Sequence, residues 1–365
     1  MRFYEISLSI WIGVISGVCA QSVYAGAYET CILPNKGNVS GEVVLSANCI
    51  YAGTIVIENS RTTLDCQGAI LDGNKKYSNG LLITGRGKKI TDVQVKNCVF
   101  KNFKGTGVLV TSGIRKNNLS VDRAVNYSLS PSNIKIIAIQ VINSGKGGVY
   151  FDDYVTDSML KDSKIEGSAG AGVYLEQASA KITLDGNVFT NNGFRAGRPV
   201  REGLAIDSSA HNVIANNRFE RNGKGGIFLY KNCGEKSRSV ISVTRWQHSN
   251  DNKISGNVFY DEPIGVWLAS RQSKDLSRWD CGDPSVDPSG KYYADFADAN
   301  KVIRNKFCRV AVGVRVEGDN NSIEGNGFSV EPSRQIEEPY KNHPKPNGKF
   351  SVGNNVMGNY REACQ

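Results

Sequence analysis

Several common signals are missing from this chain. No apolar period of 3.6 residues runs through its repeats, so they are not built from helices. None of its 9 cysteines forms a CxxC pair, which removes the usual ligand spacing of a structural zinc site. Beyond Ala25 no apolar run is long enough to cross a bilayer. What is present in quantity is glycine, with 39 in 365 residues, and eight of these open one recurring phrase. The phrase is glycine, apolar, any residue, apolar, then a residue expected to be exposed. It reads Gly80-Leu-Leu-Ile-Thr84, Gly107-Val-Leu-Val-Thr111, Gly148-Val-Tyr-Phe-Asp152 and Gly172-Val-Tyr-Leu-Glu176. It continues as Gly203-Leu-Ala-Ile-Asp207, Gly226-Ile-Phe-Leu-Tyr230, Gly265-Val-Trp-Leu-Ala269 and Gly313-Val-Arg-Val-Glu317. A second phrase, Asn-x-Phe, interleaves with it at Asn187, Asn217, Asn257, Asn305 and Asn326. Short strands bounded by Gly and Asn and repeated every few tens of residues predict an all-β solenoid, a single β-helix.

Arg2, the apolar stretch Ile6–Ala20 and the small residues of Val23-Tyr24-Ala25 predict a signal peptide over residues 1–25. An uncleaved anchor is the alternative. With cleavage the protein is exported, to periplasm or medium, and has no membrane association. Removing Cys19 leaves eight cysteines. Cys66 and Cys98 fall in strands of successive coils, and Cys233 and Cys281 in loops after neighbouring glycine phrases. The expected bridges are therefore Cys66–Cys98 and Cys233–Cys281, with Cys31–Cys49 and Cys308–Cys364 by elimination. A formal charge of +9 suits an acidic polymer outside the cell, although exposed strands also carry Lys and Arg for solubility. No nucleic-acid partner is expected.

Residues 26–60 read as an N-terminal cap with the first strands, 61–330 as the β-helix, and 331–365 as an irregular C-terminal segment. Gly148 to Gly172 is 24 residues and Gly203 to Gly226 is 23, so the basic coil holds about three short strands. Longer gaps mark excursions around 115–132, 194–201, 233–250 and 273–299. The last three fall between consecutive glycine phrases and are expected to project from one side, where they wall a surface.

The phrases Thr63-Leu-Asp-Cys-Gln-Gly-Ala, Gly203-Leu-Ala-Ile-Asp-Ser-Ser-Ala-His-Asn-Val-Ile and the serial Asn-x-Phe resemble the right-handed parallel β-helix superfamily of pectate-lyase-like proteins. The closest likeness is to exported bacterial members with NosD-like repeats. The resemblance implies a right-handed coil over residues 50–330 and a range of activities, including polysaccharide lyases, uronate epimerases, glycosidases and non-catalytic proteins. The active-site motifs of those relatives are not matched. Asp283-Pro284 is followed by Ser285 where epimerases show Asp-Pro-His-Asp. Arg198-Pro-Val-Arg201 has the wrong spacing for the pectate-lyase motif. Of the polygalacturonase set only Asp152-Asp153 is present.

Strand alternation supplies candidates independently of family. The second and fourth residues of each glycine phrase are apolar and fill the core, so the third and fifth point outward. Stacked coils then align Asp152, Glu176 and Asp207 in one exposed acidic column, continued by Tyr230. Tyr150, Tyr174, Phe228 and Trp267 align beside it as a sugar-binding surface, with Arg195, Arg198, Arg201, Lys231 and Arg271 at its edge. In a lyase or epimerase on uronate glycan, Asp152, Glu176 and Asp207 would hold calcium, and Lys231, Arg201, Tyr230 or His211 would remove the proton. In a glycoside hydrolase, two of the carboxylates would act as a pair. A non-catalytic glycan-binding protein would need only the aromatics. His211 also fits a turn position, Asp207-Ser-Ser fits a turn, and the aromatic column also suits packing against a loop.

Overall fold

The computed structural model describes residues 28–233, 244–279 and 281–364. The expected signal peptide, residues 1–25, lies outside them. Each coil passes through three short strands, and equivalent strands of successive coils pair in parallel. Among the described residues this builds three sheets of 12, 11 and 11 strands, termed A, B and C. The glycine phrases form sheet B and the Asn-x-Phe phrases form sheet A. No described helix is long and apolar enough to cross a membrane.

The repeated residues are explained by what stacking requires. Phe189, Phe219, Phe259, Phe307 and Phe328 lie in sheet A one coil apart, with successive ring centroids at 4.7, 5.1, 4.8 and 4.8 Å. Such pairs add about 0.5–1.5 kcal/mol each beyond their buried area. Gly226, Gly265 and Gly313 of the sheet B phrases face Phe259, Phe307 and Phe328 of this stack. A Cβ on Gly265 would stand 2.5 Å from Phe307 and 2.6 Å from the Gly313 carbonyl of the next coil.

The asparagines form buried ladders. Asn187, Asn217, Asn257 and Asn305 each donate from Nδ2 to the side-chain oxygen of the next rung at 2.9–3.0 Å, and to a carbonyl of the preceding coil at 2.9 Å. A second ladder runs Asn212, Asn252, Asn300, Asn321 and Asn354. A third, shorter one runs Asn192, Asn222 and then Glu262. The ladders satisfy most of the turns' buried polar groups within the protein, Glu262 Oε2 at the end of the third being an exception.

The four disulfides pair as expected, Cys66–Cys98 and Cys233–Cys281 from the coil positions and Cys31–Cys49 and Cys308–Cys364 by elimination. Residues 331–364 are more regular than expected. They supply Ile336–Glu337 to sheet B, Asn355–Met357 to sheet C and Tyr360–Arg361 to sheet A. The excursion after Thr111 contains the short helix Arg123–Leu129, capped by the Asp122 carboxylate at 2.9 Å from the Ala124 N–H.

Candidate functional site on sheet B

The register of sheet B is the one the glycine phrases imply. Tyr150, Tyr174, Ala205, Phe228, Trp267 and Arg315 are successive cross-strand partners, as are Glu176, Asp207 and Tyr230. The exposure differs from expectation. The aromatic column is a second apolar cluster outside the core, in which Tyr174, Phe228 and Tyr230 are buried and Tyr150 and Trp267 half-buried. Tyr150 and Tyr174 stack at 4.8 Å, and Phe228 meets Trp267 edge-on at 5.3 Å.

Cations from the excursions cover these rings. Arg201 lies 5.0 Å above Tyr174, Arg271 lies 4.8 Å above Tyr230 and 4.6 Å above Trp279, and Lys274 lies 4.8 Å above Trp267. The excursions fold back over the sheet because the rings would otherwise leave an apolar face in water. Ala205 leaves a notch between Tyr174 and Phe228, and Arg201 spans it, reaching Tyr230 Oη at 2.7 Å.

The acidic column is likewise covered, which corrects its expected exposure. Asp207 is fully buried and accepts from Tyr174 Oη at 2.7 Å, Ser208 Oγ at 3.0 Å and the Asn232 N–H at 2.8 Å. Glu176 accepts from Tyr150 Oη and pairs with Arg245. Asp152 pairs with Lys116 at 2.9 Å, and buried Asp153 accepts from Ser112 Oγ at 2.8 Å.

Burial pushes Glu176 up to about 7 in spite of Arg245. Burial and the charge of Asp152 push Asp153 up to about 6. Burial would raise Asp152 as well, but the Lys116 ammonium holds it well below the usual carboxylate range. Lys116 and Arg245 arrive on two different excursions, which clasp each other. Arg123 lies 3.8 Å above Trp246, whose Nε1 donates to Tyr154 Oη at 3.0 Å, and Tyr127 packs edge-on against Tyr154.

Protein cations thus stand where calcium was expected between Asp152, Glu176 and Asp207. No group of three or more Asp, Glu, His or Cys side chains among the described residues converges to hold a metal ion. This donor set does not fit calcium.

Two cavities of about 380 and 410 Å³ open on the same face. They share Val200 and Arg201, at the base of the hairpin formed by Phe194–Arg195 and Arg198–Pro199. The first is lined by Lys224, Tyr230, Ser270, Arg271, Lys274 and Trp279, among others. The second contains Lys146, Tyr150, Tyr174 and Arg195.

In the first cavity Arg201 donates to Glu202 at 2.9 Å, and Tyr230 Oη donates to the same carboxylate oxygen at 3.0 Å. Burial, reinforced by Glu202 and Asp207, pushes the Tyr230 phenol far above its ordinary value and keeps it protonated. Burial and then the charge of Arg271 pull the Lys274 ammonium below the usual lysine range. Ser270 Oγ is buried beside them with no hydrogen-bond partner.

The remaining sequence candidates separate. Arg201, Tyr230, Phe228, Arg271, Tyr150, Tyr174 and Arg195 line the two cavities. His211 does not: it sits on an exposed turn with φ 58° and donates its backbone N–H to Asn250. Lys231 lines neither cavity and is ion-paired with Asp283 at 2.9 Å. Arg198 is exposed on the hairpin, and Trp267 lies beneath Lys274. Sequence reasoning missed Lys146, Glu202, Lys224, Ser270, Lys274 and Trp279. A signal was available for two of them, since Lys146, Arg201 and Lys224 each stand two residues before the glycine of their phrase.

Solved structures with a similar fold include an alginate lyase from Paenibacillus sp. str. FPU-7, 12% identical, with a TM-score of 0.48 over 88% of this chain and 90% of that one. The A-module of a mannuronan C-5 epimerase from Azotobacter vinelandii is 14% identical, with a TM-score of 0.49 over 93% of this chain and 92% of that one. The catalytic domain of a GH87 alpha-1,3-glucanase in complex with nigerose is 12% identical, with a TM-score of 0.46 over 88% of this chain and 63% of that one. At these identities the likeness is one of fold. No curated protein sequence matches the chain. Residues 54–275, more than half of the chain, match the family described as "Right handed beta helix region", and the protein is a member of that right-handed β-helix family.

Proposed function

We propose that the outer groove of sheet B binds an acidic polysaccharide and acts on it as a polysaccharide lyase or uronate epimerase. The observation that carries this reading is the charge of the groove over its aromatic floor. Lys146, Arg195, Arg201, Lys224, Arg271 and Lys274 line the two cavities, whose lining acids are Glu202, already held by Arg201, and Asp275. Aromatic faces suit the apolar side of a sugar ring, and the cations suit its carboxylate. The four disulfides support export, since such bonds persist in oxidising compartments.

In this reading Arg201 and Arg271 hold the uronate carboxylate and stabilise the charge that develops on it. Lys274 takes the proton next to that carboxylate, a task suited to an amine already disfavoured as a cation. The electron pair released forms a carbon–carbon double bond and expels the glycosidic oxygen, to which Tyr230 gives its proton. In an epimerase Tyr230 would instead return a proton to the carbon from the opposite face. Lys274 replaces Lys231 and His211 as the candidate base, because neither of those lines the groove.

A second reading, glycoside hydrolysis, is favoured by one observation. Glu176, pushed up to about 7, lies one coil from Asp207, so a protonated carboxyl and a second carboxyl are neighbours. Arg245 would have to withdraw before substrate could reach them.

The test is turnover of acidic and neutral polysaccharides, followed by the ultraviolet absorbance of unsaturated uronate and by reducing ends together. Both signals rising, and both lost in Lys274→Met, is the expected result for a lyase. Reducing ends alone would mean hydrolysis. Binding with neither signal directs the test to NMR, where inverted uronate supports epimerisation and unchanged sugar leaves a binding protein. No binding of any acidic glycan would overturn the proposal.

A further inference from the structure

Resting on that reading of the groove, we infer that the ligand is one extended polyanion lying along the solenoid axis, with two of its anionic groups bound at once on either side of the 194–201 hairpin. The cations of the groove fall into two sets. On one side of the hairpin, Lys146 and Arg195 line a cavity that contains no carboxylate, and neither has a carboxylate partner among the described residues. On the other side, Lys224 also has no carboxylate partner among the described residues, and Arg271 and the proposed base Lys274 line the same cavity. Ser270 Oγ, buried with its hydrogen-bonding capacity unused, lines that second site. Arg201 lies between the sets, its charge matched by Glu202.

The spacing of the two sets follows from the coil. Lys146, Gly170, Arg201 and Lys224 occupy the same position, two residues before the glycine, in four successive coils. Backbone bonds at this rim confirm the stacking: Gly170 N–H to the Lys146 carbonyl, and Lys224 N–H to the Arg201 carbonyl, both at 2.8 Å. Lys146 and Lys224 are therefore three coils apart, about 14 Å at the usual strand spacing. That exceeds the screening length of about 8 Å at physiological salt, so one anionic group does not serve both sets. It also exceeds the reach of a single sugar. Gly170, at the rung between Lys146 and Arg201, and Ala171 keep the floor low for a chain to pass. A chain charged at two places several sugars apart matches the groove, whereas a singly charged sugar matches half of it.

The test is calorimetric titration of the full chain with 1,4-linked hexuronate oligomers of increasing length, at two salt concentrations, with neutral oligomers as controls. The expected result is a steep gain in affinity once the oligomer spans the hairpin. The double variant Lys146→Ala/Arg195→Ala should lose about tenfold for the long oligomers, with a shallower salt dependence, and keep the affinity of the shortest. Lys253→Ala/Lys301→Ala, which removes two exposed cations from sheet C, should change neither. An equal effect of the groove variant at every length, or none at any, would overturn the two-site inference while leaving the groove reading intact. No binding of any acidic oligomer would overturn both.

Discussion

Glu262→Gln should remove a large part of the protein's sensitivity to alkaline pH. Glu262 ends the shortest ladder, where a side-chain amide would be expected. Its Oε1 accepts from the Asn222 N–H at 3.2 Å and from Asn222 Nδ2 at 2.7 Å. Its Oε2 is buried without a partner, and the same position in the next coil is Val310. No cation answers a charge there, so burial, reinforced by the nearby Asp261 and Glu220, pushes the carboxyl from 4.5 up to about 8. A folded pKa above the unfolded one means that the folded state prefers the protonated acid. This contribution is fully present below about pH 4.5 and is lost as pH rises through about 8. At about 1.4 kcal/mol per pKa unit the whole effect is about 5 kcal/mol, of which about 2 to 3 kcal/mol falls between pH 6 and 9. Gln keeps the acceptor for Asn222 and supplies a donor that does not titrate. In urea unfolding the variant should therefore gain about 2 to 3 kcal/mol on wild type between pH 6 and 9. Parallel stability curves for the two proteins would refute the reasoning.

Gly265→Ala should destabilise by about 1–3 kcal/mol in thermal unfolding, because its Cβ would collide with Phe307 and the next coil's backbone. Arg245→Met should cost about 3–5 kcal/mol near pH 8, where buried Glu176 is ionised, and distinctly less at pH 5, where Glu176 is protonated without help. A penalty independent of pH would count against that ion pair. Ala205→Leu should fill the notch that Arg201 spans and lower turnover or glycan binding at least tenfold, at a cost of about 1–3 kcal/mol in stability because Ala205 is fully buried. Unchanged binding would remove Arg201 from the site.

The scaffold was legible because it repeats. Each coil poses the same packing problem, so the answer appears several times: Gly where the next coil approaches, Phe where rings stack, Asn where a turn must satisfy itself. One coil's register then predicted the others, and the cross-strand partners from Tyr150 to Arg315 and from Glu176 to Tyr230 fell where the phrases placed them. The disulfides were legible for the same reason. Exposure was not. Whether Asp207 faces water depends on loops that occur once each, and nothing periodic announces that Lys116 lies against Asp152 or Arg245 against Glu176. These partners are 36 and 69 residues apart in the chain. Glu202 and Lys274 were invisible on the same grounds, being single residues beside or inside excursions. Lys146 and Lys224 were readable, but only to an eye that extended the phrase two residues upstream.

The same contrast explains why charge gathers on one face. Coil stacking places like residues on top of like, so a charged rung inside the solenoid would repel its neighbours at about 5 Å with no water to screen it. The interior ladders are accordingly amides, and Glu262, the exception, is kept protonated. Outer columns can carry charge only where something non-repeating supplies the opposite sign. Along Asp152 and Glu176 the excursions supply it from within the protein, through Lys116 and Arg245, while Asp207 accepts a hydrogen bond from the neutral Tyr174 hydroxyl. Along Lys146, Arg201 and Lys224 the described residues supply only Glu202, opposite the middle residue. The acidic column is therefore answered within the protein, and the basic rim is the part of the face to which the proposed acidic glycan is assigned.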